Sequence, residues 1–156
     1  MIILLMCGLT SASDIIMNYE DYRGHENFWY QTPDVVLCQE QTLFTKKEVE
    51  DVIKNIWKEE IGSITVRERC DYNHERGKIK ILDGKHLRSY ELGNTRLIMD
   101  EVVRNGKHVE RYKSSVVQLD TTEGKDIRLL VHELGHAFGF HHYDASIDVM
   151  NAKPRY

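Results

Sequence analysis

Proline is nearly absent, at two residues in 156, and glycine is held to ten. That leaves little material for flexible linkers, and the length suits one domain around one hydrophobic core. Positive charge is not in excess: 21 Lys and Arg against 25 Asp and Glu give a net charge of −4. No basic stripe of the kind a nucleic-acid binder needs is present. Beyond the first residues, no apolar run is long enough to cross a bilayer. With 41% hydrophobic and 29% charged residues the composition excludes disordered and fibrous classes. No internal repeat or low-complexity tract occurs. The abundant residue is histidine, with eight in all and four of them at 132, 136, 141 and 142.

At the N-terminus, residues 1–9 form a short apolar run, followed by Thr10, Ser11, Ala12 and Ser13. Small residues after an apolar core resemble a secretory signal cleaved near position 13, although no Lys or Arg precedes the run. The competing reading is a buried strand or a mis-assigned start. Met6 before Cys7 is a poor context for lipidation. Residues 14–156 then form one domain, secreted or periplasmic, with no stable membrane association. Two cysteines would remain, Cys38 and Cys70, either as one disulfide or as two buried thiols.

Residues 18–32 are aromatic and polar without clear periodicity and read as an irregular arm. Residues 34–38 form a short apolar run, a buried strand. Thr45 and Glu48 fit a capping box opening a helix. Val49, Val52, Ile53, Ile56 and Trp57 follow at helical spacing as one apolar stripe, with Gly62 as the expected stop. Residues 64–67 and 78–82 alternate as half-buried strands, joined by a charged, solvated connection carrying His74. Residues 97–103 and 109–119 flank Asn105-Gly106, a strong signal for a tight hairpin, with 115–119 the more buried part. This order predicts an α+β fold, a mixed twisted sheet packed against two main helices.

The second helix is expected over about 125–138, with Ile127, Leu130, Val131, Leu134 and Phe138 as its core stripe. His132 and His136, four residues apart, project from one face and can share a metal ion. Glu133 lies beside them, too far round the helix to be a good ligand but placed for a general base acting on water at the metal. Gly139 comes three residues after His136 and His142 three after that. A glycine that takes positive φ lets the chain turn back and bring His142 up as a third nitrogen. Three neutral imidazoles and one open position suit a catalytic zinc ion, Zn2+. At this composition the five residues would coincide by chance about once in ten thousand sequences. His141 competes with His142, but the count from Gly139 favours His142 and leaves His141 at the rim. Asp148 reads either as an acceptor orienting a ligand imidazole or as a turn residue. His25, His74, His86 and His108 default to surface positions.

Residues 132–142 resemble the HExxHxxGxxH signature of the metzincin zinc metallopeptidases, and Met150 stands where that family has a methionine turn, here about 147–151. The spacing of eight residues from His142 is most like the matrixin branch. The resemblance covers about an eighth of the chain. It implies a zincin-like catalytic domain with the active-site helix near the C-terminus. It also implies His132, His136 and His142 as zinc ligands, Glu133 as base and acid, and Met150 as the floor of the site. A protein or peptide substrate would lie along an edge strand, for which 97–103 is the best candidate. The sequence departs from some metzincins at Ala152, where they carry a tyrosine; Tyr143 and Tyr156 are the nearby phenols. The expected activity is zinc-dependent endopeptidase. Its rivals are a non-catalytic zinc or interaction module and a zinc hydrolase acting on cell-wall peptides.

Overall fold

A computed structural model describes residues 28–142 and residue 150. The segment expected to be a signal, most of the expected arm, His25, Tyr143, Asp148, Ala152 and Tyr156 lie outside the described residues, as does the methionine turn apart from Met150 itself.

Six strands form one mixed sheet. β1 (Phe28–Trp29), β2 (Asp34–Cys38), β3 (Ile64–Arg67), β4 (Lys78–Asp83) and β6 (Lys107–Leu119) pair in parallel, in the order β1-β6-β4-β2-β3. β5 (Gly93–Arg104) runs antiparallel along the other side of β6, with an irregularity between Ile98 and Met99. The β5–β6 turn has left-handed φ at both central residues, 51° at Asn105 and 76° at Gly106, as a hairpin matched to strand twist requires. β5 begins at Gly93, four residues before the expected 97, and among the described residues it is an outer strand.

The sheet is covered on both faces, which is why Val35, Val36, Leu37 and Cys38 of β2 are all buried. Alternation divides them. Val35 and Leu37, with Ile79, Ile81, Val117 and Leu119, join the core beneath the two helices. Val36 and Cys38, with Leu82 and Val116, face the opposite side, where Cys70 and Tyr72 pack on them. A Cys38–Cys70 disulfide clamps that side, with a Cα–Cα distance of 5.7 Å. The connection between β3 and β4 is therefore a second cover for the sheet, where only a solvated loop was expected. The buried Lys80 ammonium reaches up to it, donating to Asp71 Oδ1 at 2.6 Å and the Asn73 carbonyl at 2.8 Å. His74, expected at the surface, is half-buried, its Nδ1 3.0 Å from Ser114 Oγ, and His86 stands edge-on to Tyr72.

The first helix, α1 (Lys46–Asp51), opens on the expected box: Glu48 N donates to Thr45 Oγ1 at 3.2 Å, and Thr45 N to Glu48 Oε2 at 2.8 Å. It continues as a π-helical stretch, Val52–Trp57, and the apolar stripe from Val49 to Trp57 is buried. The helix stops at Lys58, in left-handed conformation at φ 52°, and Gly62 does not terminate it. Gly62 instead lies where a Cβ would stand 2.5 Å from Asp34 Oδ1, and its amide donates to the Pro33 carbonyl. The second helix, α2 (Ile127–Ala137), is N-capped by Asp126, whose side chain accepts from Arg128 N at 2.9 Å. Leu130, Val131 and Leu134 are buried against the sheet, whereas Ile127, expected in the stripe, is the first residue of the helix and is 37% exposed. The result is an α+β domain with both helices on one face of the sheet. Among the described residues, no helix is long and apolar enough to cross a membrane.

Candidate metal centre

α2 carries His132 and His136 one turn apart, as their spacing requires. The turn that brings the third histidine back is built at the helix end. Gly139 has φ 97°, its amide donates to the His136 carbonyl at 3.0 Å, and the Phe140 amide donates to the Gly135 carbonyl at 3.0 Å. These two bonds are the Schellman pair, and they need a left-handed residue where glycine sits. The chain then reverses, and His142 returns over the helix.

The three imidazoles converge through Nε2. Those atoms lie 3.1 Å apart between His136 and His132, 2.9 Å between His136 and His142, and 3.0 Å between His142 and His132. Among the described residues they are the group of His, Cys, Asp or Glu side chains that could hold a metal ion. His136 Nδ1 lies 2.7 Å from the Phe140 carbonyl, which can only accept, so the Nδ1 proton is placed there and Nε2 keeps its lone pair for the centre. Burial and the neighbouring His132 push His136 down to about 3, so it is neutral at ordinary pH, as a ligand must be. Burial likewise lowers His142. A tetrahedral ion with bonds of about 2.0–2.1 Å needs nitrogens about 3.3 Å apart, close to the observed triangle. The donor set fits zinc, and nothing in it is soft enough to demand copper(I) or hard enough to demand calcium.

Glu133 reaches β5 and is 4% exposed. Burial raises its carboxyl to about 7; the Thr95 hydrogen bond works against that rise and the Glu91 charge adds to it. Thr95 Oγ1 lies 2.7 Å from Glu133 Oε2 and 2.9 Å from the Glu133 carbonyl oxygen. A Cβ on Gly93 would stand 2.7 Å from Glu133 Oε1, so the carboxyl occupies space that only glycine leaves. The part of β5 beside the site is thus Gly93–Thr95, upstream of the expected 97–103.

Met150 is wholly buried against the second helix, and its Sδ would lie 2.6 Å from a Cβ on Gly135. Trp57 fills the neighbouring space, donating from Nε1 to the Val131 carbonyl at 3.0 Å and stacking on Phe140 at 4.6 Å between ring centroids. His141 stays outside the triad at the rim, with Nε2 3.4 Å from Glu110 Oε2. Thr95, Gly93, Trp57, Gly135 and the Phe140 carbonyl were not anticipated as parts of the site. One signal was present: Gly135 interrupts a helix interior, where glycine costs about 1 kcal/mol and so suggests a close approach.

Comparison with known proteins yields no matching family, no matching curated protein and no matching solved structure.

Proposed function

We propose that this protein is a zinc-dependent metalloendopeptidase with a zincin-like, metzincin-type catalytic domain, acting on protein or peptide substrates outside the cytoplasm. The observation that carries the reading is the convergence of three imidazole Nε2 atoms within 2.9–3.1 Å beside a buried carboxyl. His132, His136 and His142 would hold the ion, and Met150 would support the helix from below. Bound zinc supplies Lewis acidity, which acidifies water and polarises a peptide carbonyl. Glu133 takes the proton of the attacking water on its carboxylate and returns it to the leaving amine. A carboxyl near 7 is suited to accept and release a proton at neutral pH. The Phe140 carbonyl holds His136 in the tautomer whose Nε2 lone pair would be free to bind the ion. The outer strand β5 offers an edge on which an extended peptide can be laid beside Glu133.

A purely structural zinc site would fill all four positions with side chains, and among the described residues only three converge. A buried glutamate with its own hydrogen-bond support has no use in such a site, which favours the enzyme over a binding module. The Cys38–Cys70 disulfide supports an oxidising compartment, and so export. The test is a peptide-library digest with and without chelator, run beside Glu133→Ala. Chelator-sensitive cleavage absent from the variant supports the reading, and cleavage unaffected by both overturns it. Cell-wall peptides in the same library separate the alternative hydrolase.

A further inference from the structure

A buried carboxyl with three rotatable bonds is costly to place, both in desolvation and in rotamer entropy. Glu133 is placed from β5. Its Oε2 lies 2.7 Å from the Thr95 hydroxyl, and its Oε1 lies against the bare Cα of Gly93. Thr95 is itself held firmly. It faces Val117 in the β5–β6 register, and its hydroxyl, whose single proton is shared with the carboxylate, also lies 2.9 Å from the Glu133 carbonyl of the helix backbone. The next residue, Arg96, projects from the opposite face of the strand and donates from Nη2 to the Tyr72 carbonyl at 3.1 Å. β5 is therefore pinned on both faces beside the glutamate, by α2 on one side and by the disulfide-clamped connection on the other.

We propose that Thr95 is a positioning residue for hydrolysis, its hydroxyl holding the Glu133 carboxyl in the slot that Gly93 leaves open. The proposal rests on the zinc peptidase reading. A base already in place raises the rate of the chemical step and leaves substrate affinity and zinc binding alone. Thr95 acts through Glu133, the residue its hydroxyl holds.

The experiment uses the zinc-loaded full chain with a peptide that the wild type cleaves. In Thr95→Val the side chain keeps its shape and loses its hydroxyl; in Thr95→Ser the hydroxyl is retained. Thr95→Val is expected to lose about a hundredfold in kcat, the scale of a misplacement near 1 Å, with KM within about twofold and zinc content unchanged. Thr95→Ser should recover most of that loss. Crystal structures supply a readout independent of turnover: the Glu133 carboxyl should leave its slot in Thr95→Val and keep it in Thr95→Ser. Gly93→Ala, whose methyl would meet Oε1, should show the same displacement and the same kcat loss, and carries the test if Thr95→Val does not fold. Wild-type kcat in Thr95→Val, an unmoved carboxyl, or zinc lost in step with kcat would overturn the proposal. A wild type that binds zinc and cleaves no peptide overturns the peptidase reading alone, and the crystal structures then decide the positioning claim.

Discussion

Trp57 lies directly against the backbone of Gly135, with Cζ2 where it would be 2.6 Å from a Cβ, while its Nε1 donates to the Val131 carbonyl. The indole thus supports α2 at the turn that separates His132 from His136. The π-helical stretch from Val52 to Trp57 ends on this residue, whose ring also stacks on Phe140 of the turn leading to His142. One side chain of the first helix touches both segments that carry the three histidines.

Gly135→Ala should therefore destabilise the protein even though alanine is the better helix former. Helix propensity favours the variant by about 1 kcal/mol. The new methyl meets the Trp57 ring on one side and Met150 Sδ on the other, both at 2.6 Å, an overpacking that costs about 3 kcal/mol at the upper end of its range. A net loss of about 2 kcal/mol is expected in denaturant unfolding, together with weakened zinc affinity. An unchanged midpoint would show that the helix can shift without cost.

Glu133→Gln and His142→Ala should separate the two halves of the site. The glutamine variant keeps the hydrogen-bonding shape of the side chain but cannot take a proton, so turnover should fall at least about a hundredfold with full zinc content. Removing His142 leaves two imidazoles, and zinc should be lost to a weak chelator that the wild type resists. Metal analysis beside a turnover assay reads both, and a His142→Ala protein that retains its zinc removes that residue from the ligand set.

Reduction of the Cys38–Cys70 bridge, or Cys70→Ala, should lower stability by about 3–4 kcal/mol, the loop-closure value for a separation of 32 residues. Urea unfolding with and without reductant measures it. The loss should be accompanied by greater protease sensitivity within residues 68–77, because Cys70 and Tyr72 cover the sheet face on which Val36 and Leu82 lie.

The pH dependence of stability should carry the mark of Glu75. Hydrogen bonds from Arg67 at 2.8 and 2.9 Å, with Lys78 at 3.2 Å, hold its carboxyl down at about 2 from an ordinary 4.5. A depressed carboxyl stabilises the fold above its unfolded value and ceases to do so as pH falls through its folded value. The stability difference between wild type and Glu75→Gln should be constant above about pH 5 and vanish between about 4.5 and 2. The group is partly exposed, so the difference is small and should shrink further in salt. A difference that persists at pH 2 would show that the glutamine variant disturbs packing instead.

Much of this architecture is local and could be read along the chain. The Thr45–Glu48 box and the Asn105-Gly106 turn depend on residues a few positions apart, whose hydrogen bonds and backbone angles are settled within one turn, and the strands at 34–38 and 64–67 are legible in their short apolar or alternating runs. The same holds for His132, His136, Gly139 and His142, since one helix and one reversing turn bring them together. The expected helix end at Gly62 failed for a related reason: the break is made by Lys58, held left-handed at the end of a π-helical stretch that side-chain periodicity does not distinguish from an α-helix.

Residue types and their spacing determine which groups can form a metal site here, because neighbours in sequence are neighbours in space on a helix. Which groups surround that site was decided by the packing of distant segments. Thr95 is 38 residues from Glu133, Trp57 is 74 from Val131, and the bridge joins residues 32 apart. No periodicity links such pairs. They meet only because the sheet has one order of strands, one register and one face for its helices, and burial of apolar area sets all three together.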